Sequence, residues 1–428
     1  MPSTIIRSTA LTAVFALLLG CAPTVTPAPD APAATPAAGA NAKADCAPAP
    51  RRTLTVALYP FLPDSQSLFF DIEHSFERAH PDVDLQIIDL SANYYNEDEP
   101  QAITNTNAQV YELDGVFLAD FIDQKRIQAL PKELVPPANT MVQVAENSAK
   151  AKNEWWGLPH WACTNFLFYR SGDPLGSAAT LKDIESLIGA KHSPDQGLLV
   201  DAKGKSTLGE LYLDATLDEL GDLSAAEPYL LDTNLLSSAT ANLQRAINLC
   251  DTGMCRDSDY HEATGFYARQ FARKRGRALV GYSERLYYIA LEEHESCRKG
   301  ECLDLKNIEM KPLPLSDKGS HPFAWVDMLT ISTTCDETCL PDATAFIAHV
   351  TSAAEVKRAL LPARYGAPPR YLLPARADLY TDKDVLAVAP LYSKLQPALA
   401  DAIPVRGRKL NARLRAIGKK LDKEILKP

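Results

Sequence analysis

The sequence predicts an α/β fold of two lobes with mostly parallel sheets. Strand-like apolar runs alternate with helix-periodic segments along the chain. The body after position 50 is also larger than one hydrophobic core ordinarily holds. Polar residues follow directly on the strand-like runs, where open α/β sheets bind their ligands.

The body opens with T-L-T-V-A-L-Y-P (53–60), a short apolar run suited to a buried parallel strand. A helix follows around L-F-F-D-I-E-H-S-F-E-R-A-H, with Phe69, Ile72 and Phe76 on one face, and Pro81 ends it. V-D-L-Q-I-I-D-L (83–90) completes a βαβ unit. A third strand, A-Q-V-Y-E-L (108–113), leads to Asp114 and a helix beginning near Phe117. Further on, R-A-L-V-G (277–281) reads as another buried strand, followed by Tyr282, Ser283 and Glu284. Ser283 is the expected N-cap of a helix through Leu286–Leu291. In this order Tyr59, Asp114 and Glu284 each stand at the carboxyl end of a strand, so they are expected to share a crevice.

Nine cysteines divide unevenly. Cys21 closes an apolar leader and Cys46 lies in a proline-rich stretch. Cys250/Cys255, Cys297/Cys302 and Cys335/Cys339 form three close pairs. Disulfides suit these pairs in an oxidising compartment; connectivity is open, and zinc is the alternative. Cys163 is left unpaired inside W-G-L-P-H-W-A-C-T-N-F-L-F-Y-R. A lone thiol either packs as a small apolar side chain or works as a nucleophile, which needs a base or a positive field to deprotonate it. Glu284 is the candidate base and Asp114 a candidate acceptor for an amino-substituted heterocycle. Tyr59, Trp155, Trp156, Trp161 and Tyr282 are candidate stacking partners, with core packing as the alternative for most.

Composition and motifs exclude several classes. Acidic residues outnumber basic ones, 54 to 44, for a formal charge of −10, which argues against nucleic acid. H-E-A-T-G (261–265) and H-E-S-C-R (294–298) lack the second histidine of a zincin helix. G-Y-S-E-R (281–285) is not the G-x-S-x-G of serine hydrolases, and no papain-like signature surrounds Cys163, although His160 is near. The basic C-terminal stretch carries Leu410, Leu414, Ile417 and Leu421 at helical spacing, a surface helix with a solvated face.

Residues 1–21 read as an export signal: Arg7 precedes an apolar run too short to span a bilayer, ending in L-L-G-Cys21. That ending resembles a bacterial lipobox, which makes Cys21 the expected lipidation site. Residues 22–50, rich in Ala and Pro, are expected to be a disordered tether. The expectation is an exported lipoprotein on the outer membrane or cell surface.

Five blocks together resemble one family. They are A-L-Y-P-F-L-P-D (57–64), L-D-G-V-F-L (113–118), G-L-P-H-W-A-C-T-N-F-L-F-Y-R-S-G-D (157–173), G-R-A-L-V-G-Y-S-E (276–284) and Y-L-L-P-A-R (371–376). In this order they resemble bacterial thiaminase I (thiamine pyridinylase), a thiamine-degrading transferase on a two-lobed type II periplasmic-binding-protein scaffold with its active site in the interlobe cleft. The resemblance implies Cys163 as nucleophile and Glu284 as catalytic base. It implies Asp114 and Asp327 as pyrimidine-binding acids and Tyr59 and Tyr282 as active-site tyrosines; Trp325 stands where the family has tyrosine. It further implies that Cys163 adds to the pyrimidine, the thiazole leaves, and an aromatic base, amine or thiol takes its place at the methylene. No cofactor or metal is implied. The lobes are expected at 51–163 with 327–366, and at 164–326 with 367–428, in a monomer whose partners are thiamine, an organic nucleophile and a membrane reached through the N-terminal lipid. The alternative is a thiamine- or pyrimidine-binding lipoprotein of an importer, which has no need of a thiol facing a carboxylate. An oligosaccharide-binding lipoprotein explains the tryptophans but neither the cysteine block nor G-Y-S-E.

Overall fold

Two β-sheets organise the body, and the segments joining them carry the residues of interest. The computed structural model describes residues 50–426 apart from 89, 91–93, 96–102, 104, 190–195, 204–206, 251–253, 256–263, 299, 363 and 365. The export signal, Cys21, the tether and Cys46 lie outside the described residues.

The first sheet contains β1 (Arg52–Ala57), β2 (Val83–Ile88), β3 (Val110–Asp114), β4 (Leu158–Cys163), β9 (Phe323–Ser332) and β10 (Leu373–Pro374); the intervening β5 to β8 form the second. Its order is β10-β4-β9-β3-β1-β2, with short strands Ile127–Gln128 and Ile403–Pro404 also pairing to β9. The second sheet has the order β8-β5-β7-β6, built from β5 (Phe166–Arg170), β6 (Leu198–Leu199), β7 (Ala278–Gly281) and β8 (Ile308–Pro312). Strand β1 runs parallel to both β2 and β3, as the βαβ pattern predicts. The sheets as wholes are mixed, because β9 returns antiparallel between β3 and β4 and β5 lies antiparallel to β7 and β8. Apolar runs reveal burial on both faces but not strand direction.

Helix α1 (Ser65–Ala79) buries Leu68, Ile72 and Phe76 at a four-residue interval, while Phe69 is only half-buried. Full burial of such side chains contributes about 1.5–3 kcal/mol each. The helix stops at His80, whose N–H closes on the Phe76 carbonyl just before Pro81. Helix α3 (Arg285–Ser296) begins one residue later than expected. Ser283 does not cap it: the hydroxyl turns to the Glu284 carboxylate at 3.4 Å, and backbone turns open the helix instead.

The chain crosses between sheets through Thr164 and Asn165, after β4, and returns through 313–322, before β9. Helix α2 (Thr207–Leu220) holds both crossings. Asp214 accepts from the Asn165 amide at 3.2 Å, and Asp218 accepts from the Leu315 backbone N–H at 2.6 Å and from that of His321. Past residue 366 the chain adds β10 to the first sheet, and α4 (Leu410–Glu424) packs its Leu410, Leu414, Ile417 and Leu421 inward, against α2.

Cys250–Cys255, Cys297–Cys302 and Cys335–Cys339 are disulfide-bonded, each pair local, which removes the zinc reading of these cysteines. Among the described residues no helix is long and apolar enough to cross a membrane.

Candidate active site

Strand register brings four predicted residues onto one face of the first sheet. Cys163 lies opposite Trp325, and Asp327 lies opposite both Trp161 and Asp114. Side chains alternate along a strand, so Cys163, Trp325, Asp327 and Asp114 project together. Glu284 comes from the other sheet, just beyond β7, and its Oε1 accepts from the Cys163 thiol at 3.8 Å. Cys163 is the free cysteine among the described residues and is partly exposed.

Asp114 is held on three sides. Its Oδ1 accepts from the Val116 N–H at 2.9 Å, its Oδ2 from the Tyr95 hydroxyl at 2.5 Å, and its own N–H donates to the Tyr94 hydroxyl. The Tyr59 hydroxyl lies 3.1 Å from that of Tyr95. Aromatic rings gather around it: Tyr95 lies nearly parallel to both Phe117 and Phe61, and Phe61 is 42% exposed. On the second sheet the Tyr282 hydroxyl donates to Glu210. Trp325 is 5% exposed and edge-on to Phe323, and its indole N–H meets no acceptor. Trp155 and Trp156 stand apart from this cluster, at a small hairpin where Lys150 lies over Trp155 and the Trp156 N–H donates to Ala151.

Further along the strands lies a buried pair that the sequence did not suggest. His160 Nδ1 is 2.6 Å from Glu112 Oε1, and Glu112 Oε2 accepts the Tyr59 backbone N–H at 2.9 Å. The pairing of β4 with β9 steps from Trp161↔Asp327 to Pro159↔Met328, so His160 is the extra residue of a β-bulge. A bulge re-aims a side chain. Tyr94, Tyr95 and Glu210 were missed as well. Glu112 alone had a signal, two residues before Asp114 and so on the same side of its strand.

Carboxylates dominate the electrostatics. Burial pushes Glu284 up to about 7, against the pull of its own N–H, the Ser283 hydroxyl and the Cys163 thiol. Burial likewise lifts Asp114 to about 6. Asp327 is raised well above the ordinary range by burial first, then by the charges of Asp114, Glu112 and Glu284. The Cys163 thiol is raised by desolvation and then by Glu284, Asp327, Asp114 and Glu210. Burial and neighbouring carboxylates thus keep the thiol protonated beside a base that titrates near neutrality. Any cation entering the site would favour both ionised forms.

Known proteins resemble the chain in sequence and in fold. Residues 164–298 match the Thiaminase-1 domain. The chain is 29% identical over 375 residues to Thiaminase-1 of Paenibacillus thiaminolyticus, covering 85% of this chain and 84% of that one. Thiaminase I from Bacillus thiaminolyticus superposes with a TM-score of 0.74 at 26% identity, over 88% of this chain and 100% of the other. Clostridium botulinum thiaminase I in complex with thiamin gives 0.75 at 21%, over 87% and 100%. The two-lobed architecture extends to a maltose-bound T. maritima MalE3, at a TM-score of 0.61 and 15% identity over 87% and 98%, a likeness of fold alone. By sequence and by fold, this chain resembles bacterial thiaminase I.

Proposed function

We propose that this protein is a thiamine-degrading transferase that replaces the thiazole of thiamine with an organic nucleophile at the pyrimidine methylene. The observation that carries the reading is Cys163 facing Glu284 at 3.8 Å across the junction of the two sheets. The thiazolium ring of thiamine is a cation, and a site ringed by Asp114, Glu210, Glu284 and Asp327 suits it. Its arrival lowers the cost of ionising the thiol, whose proton passes to Glu284. The thiolate then adds to C6 of the pyrimidine, an exocyclic C=C bond forms at the methylene, and the thiazole leaves with the electron pair of its C–N bond. A nucleophile adds to the methylene, the ring regains aromaticity, and the C6–S bond breaks with its pair on sulfur. Asp114 and Asp327 hold the ring nitrogens; Tyr59 and Tyr282 flank the ring, with Trp325 as a wall beside the thiol.

The test is thiamine turnover followed by mass spectrometry, with and without pyridine or aniline. The expected product is a pyrimidinylmethyl adduct of the added base, absent with Cys163→Ser. Tight thiamine binding with no adduct under any nucleophile would leave a thiamine-binding receptor.

The L-L-G-Cys21 ending supports anchoring by lipid outside the cytoplasm. Cys21→Ser then shifts the protein from the membrane to the soluble fraction; an unchanged distribution removes the anchor.

A further inference from the structure

Two buried carboxyls of α2 take no part in the chemistry proposed above. Asp214 and Asp218 stand one helical turn apart on one side of the helix, 2% and 0% exposed. Each holds a different crossing between the sheets. Asp214 accepts from the Asn165 side-chain amide at 3.2 Å, and Asp218 accepts from the backbone N–H groups of Leu315 and His321. The crossings also meet directly, where the Leu313 N–H donates to the Asn165 carbonyl at 3.4 Å. Asn165 is two residues past Cys163, and His321 leads through Pro322 into β9, whose Trp325 lies opposite Cys163. Helix α2 thus grips the chain just beyond the strand of the thiol and just before the strand paired with it.

Every donor to the pair is neutral, and among the described residues no lysine or arginine pairs with either carboxyl. The charges that bear on Asp214 are those of Asp218 and Glu210, and the one that bears on Asp218 is that of Glu219, all on α2. Glu219 is itself matched by Lys318 of the second crossing at 3.2 Å and by Asn242 of the neighbouring helix Ser237–Asn248. On α4, which also packs against α2, the Arg413 guanidinium lies 3.9 Å from Glu227. Two buried carboxylates without a cation cannot both ionise near neutrality. Asp218, with an N–H on each oxygen, is suited to the charge, and Asp214 to the proton. Burial first, and then the neighbouring acids, push both up: Asp218 to about 7 and Asp214 well above the ordinary range.

We propose that Asp214 is a positioning residue for Cys163: while it keeps its proton, α2 holds both crossings and the thiol stays opposite Glu284; when it ionises, the crossings open and that alignment is lost. A second negative charge beside Asp218 is relieved by hydration, and the crossings are what must part to admit water. The result is a loss of activity on the alkaline side that belongs to neither Cys163 nor Glu284. This goes beyond the transferase reading, and the opening itself can be followed without turnover.

The test is hydrogen exchange of the full-length protein, read by mass spectrometry between about pH 6 and 9, with β7 as internal reference for residues 313–322. Intrinsic exchange speeds up with pH equally in both segments, so their ratio isolates the crossing. That ratio is expected to rise about fivefold or more in wild type. It should stay flat in Asp214→Asn, which keeps an acceptor for the Asn165 amide and cannot ionise. kcat/KM for thiamine is expected to fall on the alkaline side in wild type, and about one pH unit or more higher in Asp214→Asn. A flat ratio in wild type overturns the proposal whether or not the variant folds. An alkaline limb of unchanged midpoint in Asp214→Asn overturns it too. A protein that turns over no thiamine fails instead at the transferase reading, and the exchange ratio alone then decides whether Asp214 governs the crossings.

Discussion

Glu112 and His160 form a buried hydrogen-bonded pair, 2.6 Å from Oε1 to Nδ1, two residues along β3 from Asp114 and three along β4 from Cys163. Each is at most 3% exposed. The pair ties the strand of the candidate nucleophile to the strand of a candidate pyrimidine acid, and Glu112 also fixes the Tyr59 backbone. Removing one partner of such a pair leaves a buried polar group without its hydrogen bond, at a cost of about 1–3 kcal/mol. Glu112→Ala is therefore expected to lower the unfolding free energy by that amount in urea titrations. Glu112→Leu with His160→Leu should recover much of it, since the apolar double variant leaves neither member of the pair unpartnered. A double variant as unstable as Glu112→Ala would show that the pair contributes packing alone.

On the proposed mechanism Glu284 sets the acid side of the pH profile. Its carboxyl titrates at about 7 in the folded protein and must be ionised to take the thiol proton. kcat/KM for thiamine is therefore expected to rise with pH through about 7. Glu284→Gln should cost about 10²–10⁴-fold, the range of a positioned base, and flatten that limb. A limb of unchanged midpoint in the variant would assign it to another group.

The same residue weighs on stability in the opposite sense. Its folded value lies above the ordinary 4.5, so the folded state holds the proton more tightly than the unfolded chain does. That contribution is fully present below about 4.5 and is lost as pH rises through about 7. Glu284→Gln, which cannot ionise, is expected to be more stable than wild type by about 1–3 kcal/mol near pH 8 and no more stable near pH 4. Denaturant titrations at the two pH values decide it. A base that acts at the expense of folding is what a functional carboxylate predicts and a structural one does not.

The ends of β1, β3 and β7 were legible in the sequence because doubly buried strands read as apolar runs and their polar successors stand out. The lone thiol was legible by elimination among nine cysteines. What escaped was set by distant pairing. The bulge at His160 exists only in the register of β4 against β9, more than 160 residues apart. Tyr94 and Tyr95 reach Asp114 from a segment with no periodic signal, and Glu210 sits on a helix that carries no recognisable motif. Ser283 misled because its sequence context is that of an N-cap; the neighbouring carboxylate took its hydroxyl.

Helix α2 joins the two crossings and carries Glu210, so its seating against α4 matters to both. Gly209 makes that seating possible: a Cβ there would lie 2.1 Å from the Leu414 backbone carbonyl oxygen. The obstacle is main chain inside a helix, which cannot swing aside as a side chain would. Gly209→Ala is therefore expected to force α2 and α4 apart, with a loss of about 1–3 kcal/mol in urea despite alanine's better helix propensity. Adding Leu414→Ala should not restore it, because truncating that side chain leaves the carbonyl in place. Rescue by Leu414→Ala, or a Gly209→Ala protein as stable as wild type, would mean that the helices meet less closely than 2.1 Å implies.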